Sequence, residues 1–220
     1  MELLSEPFTT KEPAHQQVYQ QIREMILFGV LAPGEPITIL GLIDRIGAGM
    51  TPVREALRRL TAEGALQLLG NRRVVVPVLD RATLDQLAFA RLALEPHLAS
   101  LACVQLENKH IAEISELDVA LNEAISQGDI TGYLRLNHAF HMALYGHAQA
   151  PLLVSVVGSL WLRVGPSLRV VCGRWGTMQL TDCHANALAA MRAHDPDRLA
   201  GAIRDDITQG IEMVAQSLTD

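Results

Sequence analysis

Over most of the chain, apolar residues recur every three to four positions, which is the period of a helix with one buried face. Val18, Ile22, Met25 and Ile26 mark the first such face, between Pro13 and a stop at Gly29. In VLAPGEPITI, Pro33-Gly34 signals a turn and Ile37-Thr38-Ile39 a short strand. Leu40–Ile46 reads as a short helix closed by Gly47-Ala48-Gly49, three small residues that suit a tight turn. Thr51 then stands as an N-cap with Pro52 in the first helical position. Val53, Ala56, Leu57 and Leu60 form the core face of that helix, and Gly64 ends it. Ala65–Leu69 and Val74–Val78 favour strands, with Gly70-Asn71 as the turn of a hairpin.

After Pro77–Asp80 no further strand pattern occurs. Helices are expected at Arg81–Cys103, Asn108–Gln127, Asp129–Gly146, Pro151–Arg169, Thr181–Ala193 and Asp195–Leu218. Short connections between long helices with one apolar face imply an antiparallel bundle. The expected fold is therefore mainly α in two domains. Residues 1–79 form a helix-turn-helix with a small β-hairpin wing, entered by an extended arm at 1–12. Residues 80–220 form an all-α helical bundle.

Composition adds a bound and an asymmetry. With 49% hydrophobic and 19% charged residues, the 220-residue chain can bury a core and is not disordered. The net charge of −6 looks wrong for a nucleic-acid binder. Yet residues 1–79 hold eight Lys/Arg against eight Asp/Glu, and the whole −6 falls in the remainder. Arg45–Arg73 contains six arginines against Glu55 and Glu63, a local +4, and phosphate responds to that local patch. Cys103, Cys172 and Cys183 show no paired framework or CxxC spacing, which suits buried thiols in a reducing cytoplasm. Met1–Thr10 carries Glu2 and Glu6 and no long apolar run, so no secretory signal is expected. No stretch of about 20 apolar residues is expected to span a membrane.

Arg54 and Arg58 lie four apart, opposite the core face of their helix. A helix that offers arginine in its first exposed turns suits a DNA major groove, because the planar fork grips guanine O6 and N7 or a phosphate. Spacing alone allows an ordinary solvated helix face equally well. TPVREALRRLTAEGAL followed by GNRRVVV resembles the winged helix-turn-helix of the GntR family of bacterial transcription regulators. The family's usual run is Ser-Arg-Thr-Pro-Val-Arg-Glu-Ala-Leu; this chain matches from Thr51 to Leu57 but has Gly49-Met50 in place of Ser-Arg. Met50 cannot make the DNA contact the family's arginine makes there. Arg73 stands where the family usually has glycine, adding a cation at the wing tip beside Asn71 and Arg72. The resemblance implies that Thr51 and Arg54 read bases while Arg45, Arg58 and Arg72 mostly hold phosphates.

In the bundle, Asn137 and His141 share one helix face at i and i+4, and His184 and Asp206 fall on the last two helices. By themselves these are more commonly surface or hydrogen-bonded core residues than ligands. The segment Arg81–Val214 is similar to the FCD-type ligand-binding domain of the FadR branch of that family. Its marks are Arg91 with Glu95, Asn137 with His141 in the context FHMAL, then His184 and Asp206. In many members these last four positions bind a divalent metal. Here Asn replaces the usual Asp and Asp206 the usual His, so the implied set is one amide oxygen, two imidazoles and one carboxylate. Zinc is the first expectation, with nickel and manganese as alternatives, because mixed nitrogen and oxygen ligands select weakly. Neutral Asn137 should bind less tightly than Asp. His138 points about 100° away around the helix and is expected off the site. Arg91 needs an anionic partner, either Glu95 or the carboxylate of a small effector. Arg163 is a second effector-binding candidate. Trp161 and Trp175 are expected in core or interface and His97 on the surface.

The implied protein is a DNA-binding regulator, a homodimer on a palindromic operator, answering to a small organic acid and commonly a repressor. A metal-dependent enzyme with a winged helix for dimerisation is the competing class, although no HExxH-like general base accompanies the histidines. A bundle that only dimerises and senses nothing is a third reading.

Overall fold

The structure is a computed structural model and describes residues 13–70, 73–175 and 182–218. The expected arm at 1–12, Asn71 and Arg72 at the wing tip, and the side chain of Trp175 lie outside the described residues.

The N-terminal unit is built on α1 (Ala14–Leu27), α2 (Ile39–Ile46) and α3 (Met50–Ala62), with β1 (Pro36–Ile37), β2 (Gln67–Leu68) and β3 (Val74–Val75). Ile22, Ile26, Leu42, Val53 and Leu60 interlock at its centre with almost no exposure. The strands form an antiparallel sheet in the order β1-β3-β2, with Ile37 opposite Val74 and Leu68 also opposite Val74. The strands are shorter than the sequence implies, for identifiable reasons. The Thr38 hydroxyl accepts the Gly41 N–H and caps α2, which draws Ile39 into the helix. The Ala65 and Leu66 amides both turn back to the Leu60 carbonyl, finishing α3 rather than starting β2. Gly64 permits that reversal with φ of 73°.

The start of α3 corrects one expectation. Thr51 is not the N-cap: Gly49 is, in extended backbone and with no side-chain bond, and Met50 is the first helical residue. Pro52 still fits, because the first intrahelical amide to find an acceptor is that of Val53, bonded to Gly49. The proline therefore occupies a place where an N–H would have no partner.

The bundle comprises α4 (Arg81–Cys103), α5 (Asn108–Gln127), α6 (Ile130–Gly146), α7 (Pro151–Trp175), α8 (Cys183–Arg192) and α9 (Pro196–Ser217). Asp80 caps α4 by accepting the Thr83 N–H at 2.7 Å. Helix α4 lies along α9, α5 along α6, and α8 along α9, while α7 reaches α1, α4, α6 and α9. Helix α7 continues past the expected end at Arg169 because Val171 and Cys172 are still buried. Its segment Pro151–Cys172 is long and apolar enough to cross a membrane by length and composition, contrary to the sequence expectation. Here Val157, Trp161, Leu162 and Val164 of that helix are core residues.

The two units are in direct contact through α7. At Gly165 the Leu27 carbonyl of α1 comes so close that no Cβ would fit. Arg23 donates to the Gly158 carbonyl at 3.2 Å, and Arg163 to the Glu63 carbonyl, just past α3, at 2.9 Å.

Candidate functional site

Arg54, Arg58 and Thr51 are all exposed on α3, opposite the buried Val53, Ala56, Leu57 and Leu60. Arg59, one residue along, is also exposed but is tied to its neighbours. Its Nε bonds Glu63 at 2.9 Å, its Nη1 reaches Gln16 at 3.2 Å, and its guanidinium lies 3.7 Å over the Tyr19 ring. Among the described residues neither Arg54 nor Arg58 has an ion-pair partner. Arg45 on α2 is exposed and lies 3.8 Å from Glu35, a long and weak pair. Arg73 is exposed beside the hairpin, where its carbonyl accepts the Leu69 amide. The described cations thus face solvent on α2, α3 and the hairpin.

The second cluster is buried in the bundle. The ring atoms of His141 on α6 and His184 on α8 and the carboxylate of Asp206 on α9 include ligand atoms all within 4.8 Å of one another. His141 Nε2 lies 3.0 Å from Asp206 Oδ2, and His184 Nε2 3.9 Å from Asp206 Oδ1. Both Nε2 atoms are fully buried and neither has an aligned hydrogen-bond partner, although the first is close enough for one. Their opposite ring nitrogens are engaged. His184 Nδ1 faces Asp118 Oδ1 at 3.1 Å, and His141 Nδ1 faces the Tyr145 hydroxyl at 3.1 Å. Since Asp118 accepts only, His184 carries its hydrogen on Nδ1. Tyr145 spends its own hydrogen on Glu95 Oε2 at 2.8 Å, so it accepts from His141 Nδ1. In the neutral rings both lone pairs therefore sit at Nε2, on the side of Asp206. Two orphaned buried nitrogens beside a carboxylate fit a divalent cation, and their outer partners are of the kind that orient metal-binding histidines.

Asn137 lies one turn before His141 and lines, with Arg91, Tyr133, Trp161, Cys172 and Asp206, a cavity of about 40 Å³. That space has room for an ion with a few water molecules, not for a drug-sized ligand. Burial alone would push the Asp206 carboxyl up, but His141 and His184, when their rings carry a second proton, together with Arg91 outweigh it and hold it below its usual value. Burial would lower the Arg91 guanidinium, and Glu95 more than offsets this, so it stays above its usual range. Burial and Glu95 raise Tyr145 well above an ordinary phenol, so it remains a neutral hydroxyl. Burial pushes the Cys172 thiol up to about 11, which leaves it a poor anionic ligand.

Arg91 and Glu95 form a buried pair, Nε to Oε1 at 2.5 Å, with the guanidinium 4.4 Å from the Trp161 ring centroid. Glu95, one of the two partners the sequence left open, is thus in contact with Arg91, which also lines the cavity. Arg163, the second effector-binding candidate, is exposed and bonded to the Glu63 carbonyl; it does not line that cavity, because its position on α7 faces the N-terminal unit. His138 lies off the cluster, edge-on to Trp161 and to Phe28 of the N-terminal unit. Sequence reading missed Tyr145 and Asp118. Each had a signal: Tyr145 is one further turn along the Asn137–His141 face, and Asp118 interrupts the apolar stripe of Ile111, Ile114 and Leu121.

Comparison with known proteins matches the two units separately. Residues 14–76 match the bacterial regulatory proteins, gntR family, and residues 86–209 match the FCD domain. The HTH-type transcriptional regulator McbR of Escherichia coli (strain K12) is 29% identical over 203 residues, covering 91% of this chain and 92% of that protein. The solved structure of E. coli McbR/YncC superposes with a TM-score of 0.89 at 28% identity, over 94% of this chain and 99% of the other. The Nta operon transcriptional regulator of Aminobacter aminovorans is 34% identical over 65% of each chain. A probable D-xylose utilization operon transcriptional repressor from Paenarthrobacter nicotinovorans is 25% identical over 95% of this chain and 94% of its own.

Proposed function

Because the chain belongs to the GntR family of bacterial regulatory proteins and carries an FCD domain behind its winged helix, making it a DNA-binding transcription regulator and not an enzyme, we propose that it is a metal-containing metabolite sensor that represses its target genes. The observation that carries the sensor reading is the pair of orphaned, fully buried Nε2 atoms of His141 and His184 beside Asp206. Asn137, His141, His184 and Asp206 would hold the cation, with zinc first and nickel or manganese as alternatives. When bound, the cation supplies a positive centre to which an effector oxygen can coordinate. Arg91 lines a cavity together with two of these residues, Asn137 and Asp206, and favours an anion there, so a small organic acid is the effector class.

Two chains would pair on a palindromic operator in the cytoplasm, with the boundary between DNA-binding and sensing parts at residues 79 and 80. Thr51 and Arg54 would meet bases, and Arg45, Arg58, Asn71, Arg72 and Arg73 the backbone or minor groove. Support for a repressor comes from the relative named as one. The effector must favour one arrangement of the two units over the other, or DNA affinity does not change.

The test starts from duplexes selected out of a random pool by the protein itself. Affinity is then measured with a chelator, with zinc, and with zinc plus a panel of small carboxylates. The proposal expects at least one carboxylate to change affinity roughly fivefold or more. Affinity indifferent to chelator, zinc and the whole panel would leave a bundle that only pairs subunits.

A further inference from the structure

The Glu95 carboxylate has no exposure and collects donors from three helices. Arg91 of α4 reaches it through Nε and Nη2, Tyr145 of α6 through its hydroxyl, and Trp161 of α7 through Nε1 at 3.0 Å. With its hydrogen committed to Glu95, the Tyr145 oxygen can meet His141 Nδ1 only as an acceptor. The consequence falls on the far side of the His141 ring, where a lone pair is left at Nε2 facing Asp206. His184 is oriented separately, by Asp118 of α5 and by stacking on Phe140 at 3.9 Å. The two histidines therefore differ in what stands behind them. Behind His184 is a local carboxylate. Behind His141 is a hub whose third donor belongs to α7, the helix against which α1 rests at Gly165 and whose Arg163 holds the Glu63 carbonyl after α3.

We propose that Tyr145, held by Glu95, is the positioning residue that makes His141 a metal donor, and that the shared Glu95–Trp161 bond ties this donor to the helix carrying the DNA-binding unit. This rests on the divalent-metal reading of the site. It assigns Tyr145 and Trp161 separate tasks: the first sets affinity for the ion, the second passes the state of the site to α7. Buried polar networks of this kind also act as units, since each member fixes the direction of the next hydrogen bond.

Tyr145→Phe keeps the ring and removes the one oxygen. Zinc affinity is read by competition with a chromophoric chelator, and thermal stability is read in parallel with the metal stripped. The expected result is zinc binding weaker by about 10–100-fold, the usual effect of losing an outer partner. A purely structural tyrosine would instead lower the melting temperature of the metal-free protein and leave zinc affinity as in wild type, which overturns the proposal. If Tyr145→Phe does not fold, Glu95→Gln is read the same way: weakened zinc binding supports the proposal and unchanged binding overturns it. Trp161→Phe tests the second task. Compared at saturating zinc, the metal should change its affinity for the selected duplex less than it changes that of wild type; an undiminished zinc effect on DNA overturns the tie to α7. Wild-type protein that binds no zinc, nickel or manganese overturns the metal reading underneath, whereas equal binding by wild type and Tyr145→Phe overturns this proposal alone.

Discussion

At the scale of single residues, chemically identical side chains have different tasks because their neighbours differ. Arg58 and Arg59 are adjacent, yet only Arg59 is tied to Glu63, Gln16 and the Tyr19 ring. Arg58→Ala should therefore reduce the salt dependence of DNA binding, by about one unit of logarithmic slope for each phosphate it no longer neutralises, and affect all duplexes alike. Arg59→Ala should instead lower the melting temperature of the free protein. Anisotropy titrations at several salt concentrations and a thermal melt separate the two. Periodicity alone puts both arginines on the polar side of the helix, and the Tyr19–Glu63 bond that separates them spans 44 residues. The same limit applies to Arg163, whose acceptor is 100 residues away. His141, His184 and Asp206 were legible because the family pattern marks them, while Tyr145 and Asp118 show in the sequence only as polar positions on inward faces, and what they bond is decided once the helices pack.

At the scale of elements, most helices were legible from their apolar period and their stops, and errors fell at ends, where local hydrogen bonding decides. Thr51 reads as a cap, but the Val53 amide bonds Gly49 and the helix starts two residues early. The cap of α4 makes a pH prediction. Thr83 bonding holds the Asp80 carboxyl below its ordinary value, so the unfolded chain takes up the proton first as pH falls. The stabilisation is present above the ordinary carboxylate pKa and lost as pH drops through the lower folded value. Asp80→Ala should melt earlier than wild type at neutral pH, and the difference should close on acidification below roughly pH 4. At the crossing of α1 and α7, Gly165→Ala drives a methyl into the Leu27 carbonyl. A cost of about 1–3 kcal/mol is expected, which calorimetry should register as roughly 2–4 °C lost per kcal/mol in a protein of this size.

At the scale of the whole molecule, the chain separates its charge: the cations proposed to face DNA sit in a neutral N-terminal unit, and the net −6 belongs to the bundle. That division was legible in the sequence, as was the two-part fold. The joint between the parts was not, because Gly165, Arg23 and Arg163 carry no motif and matter only through what they touch. The joint makes α7 common to the buried cluster and the winged helix, so a loosened joint should weaken control before it weakens DNA binding. Arg163→Ala should keep operator affinity within a few-fold of wild type while reducing its response to zinc and carboxylate, measured on the selected duplex. Control of any gene by this chain requires that the outer face of α3 read DNA. The most direct measurement is binding of Arg54→Ala to the duplex selected by wild type, against an unrelated duplex in the same salt. Preference for the selected duplex should disappear, at a cost of about 1–3 kcal/mol for each bidentate arginine–base pairing removed, while weak non-specific binding persists. Wild-type affinity and preference in Arg54→Ala would contradict the assignment of α3 as the reading helix.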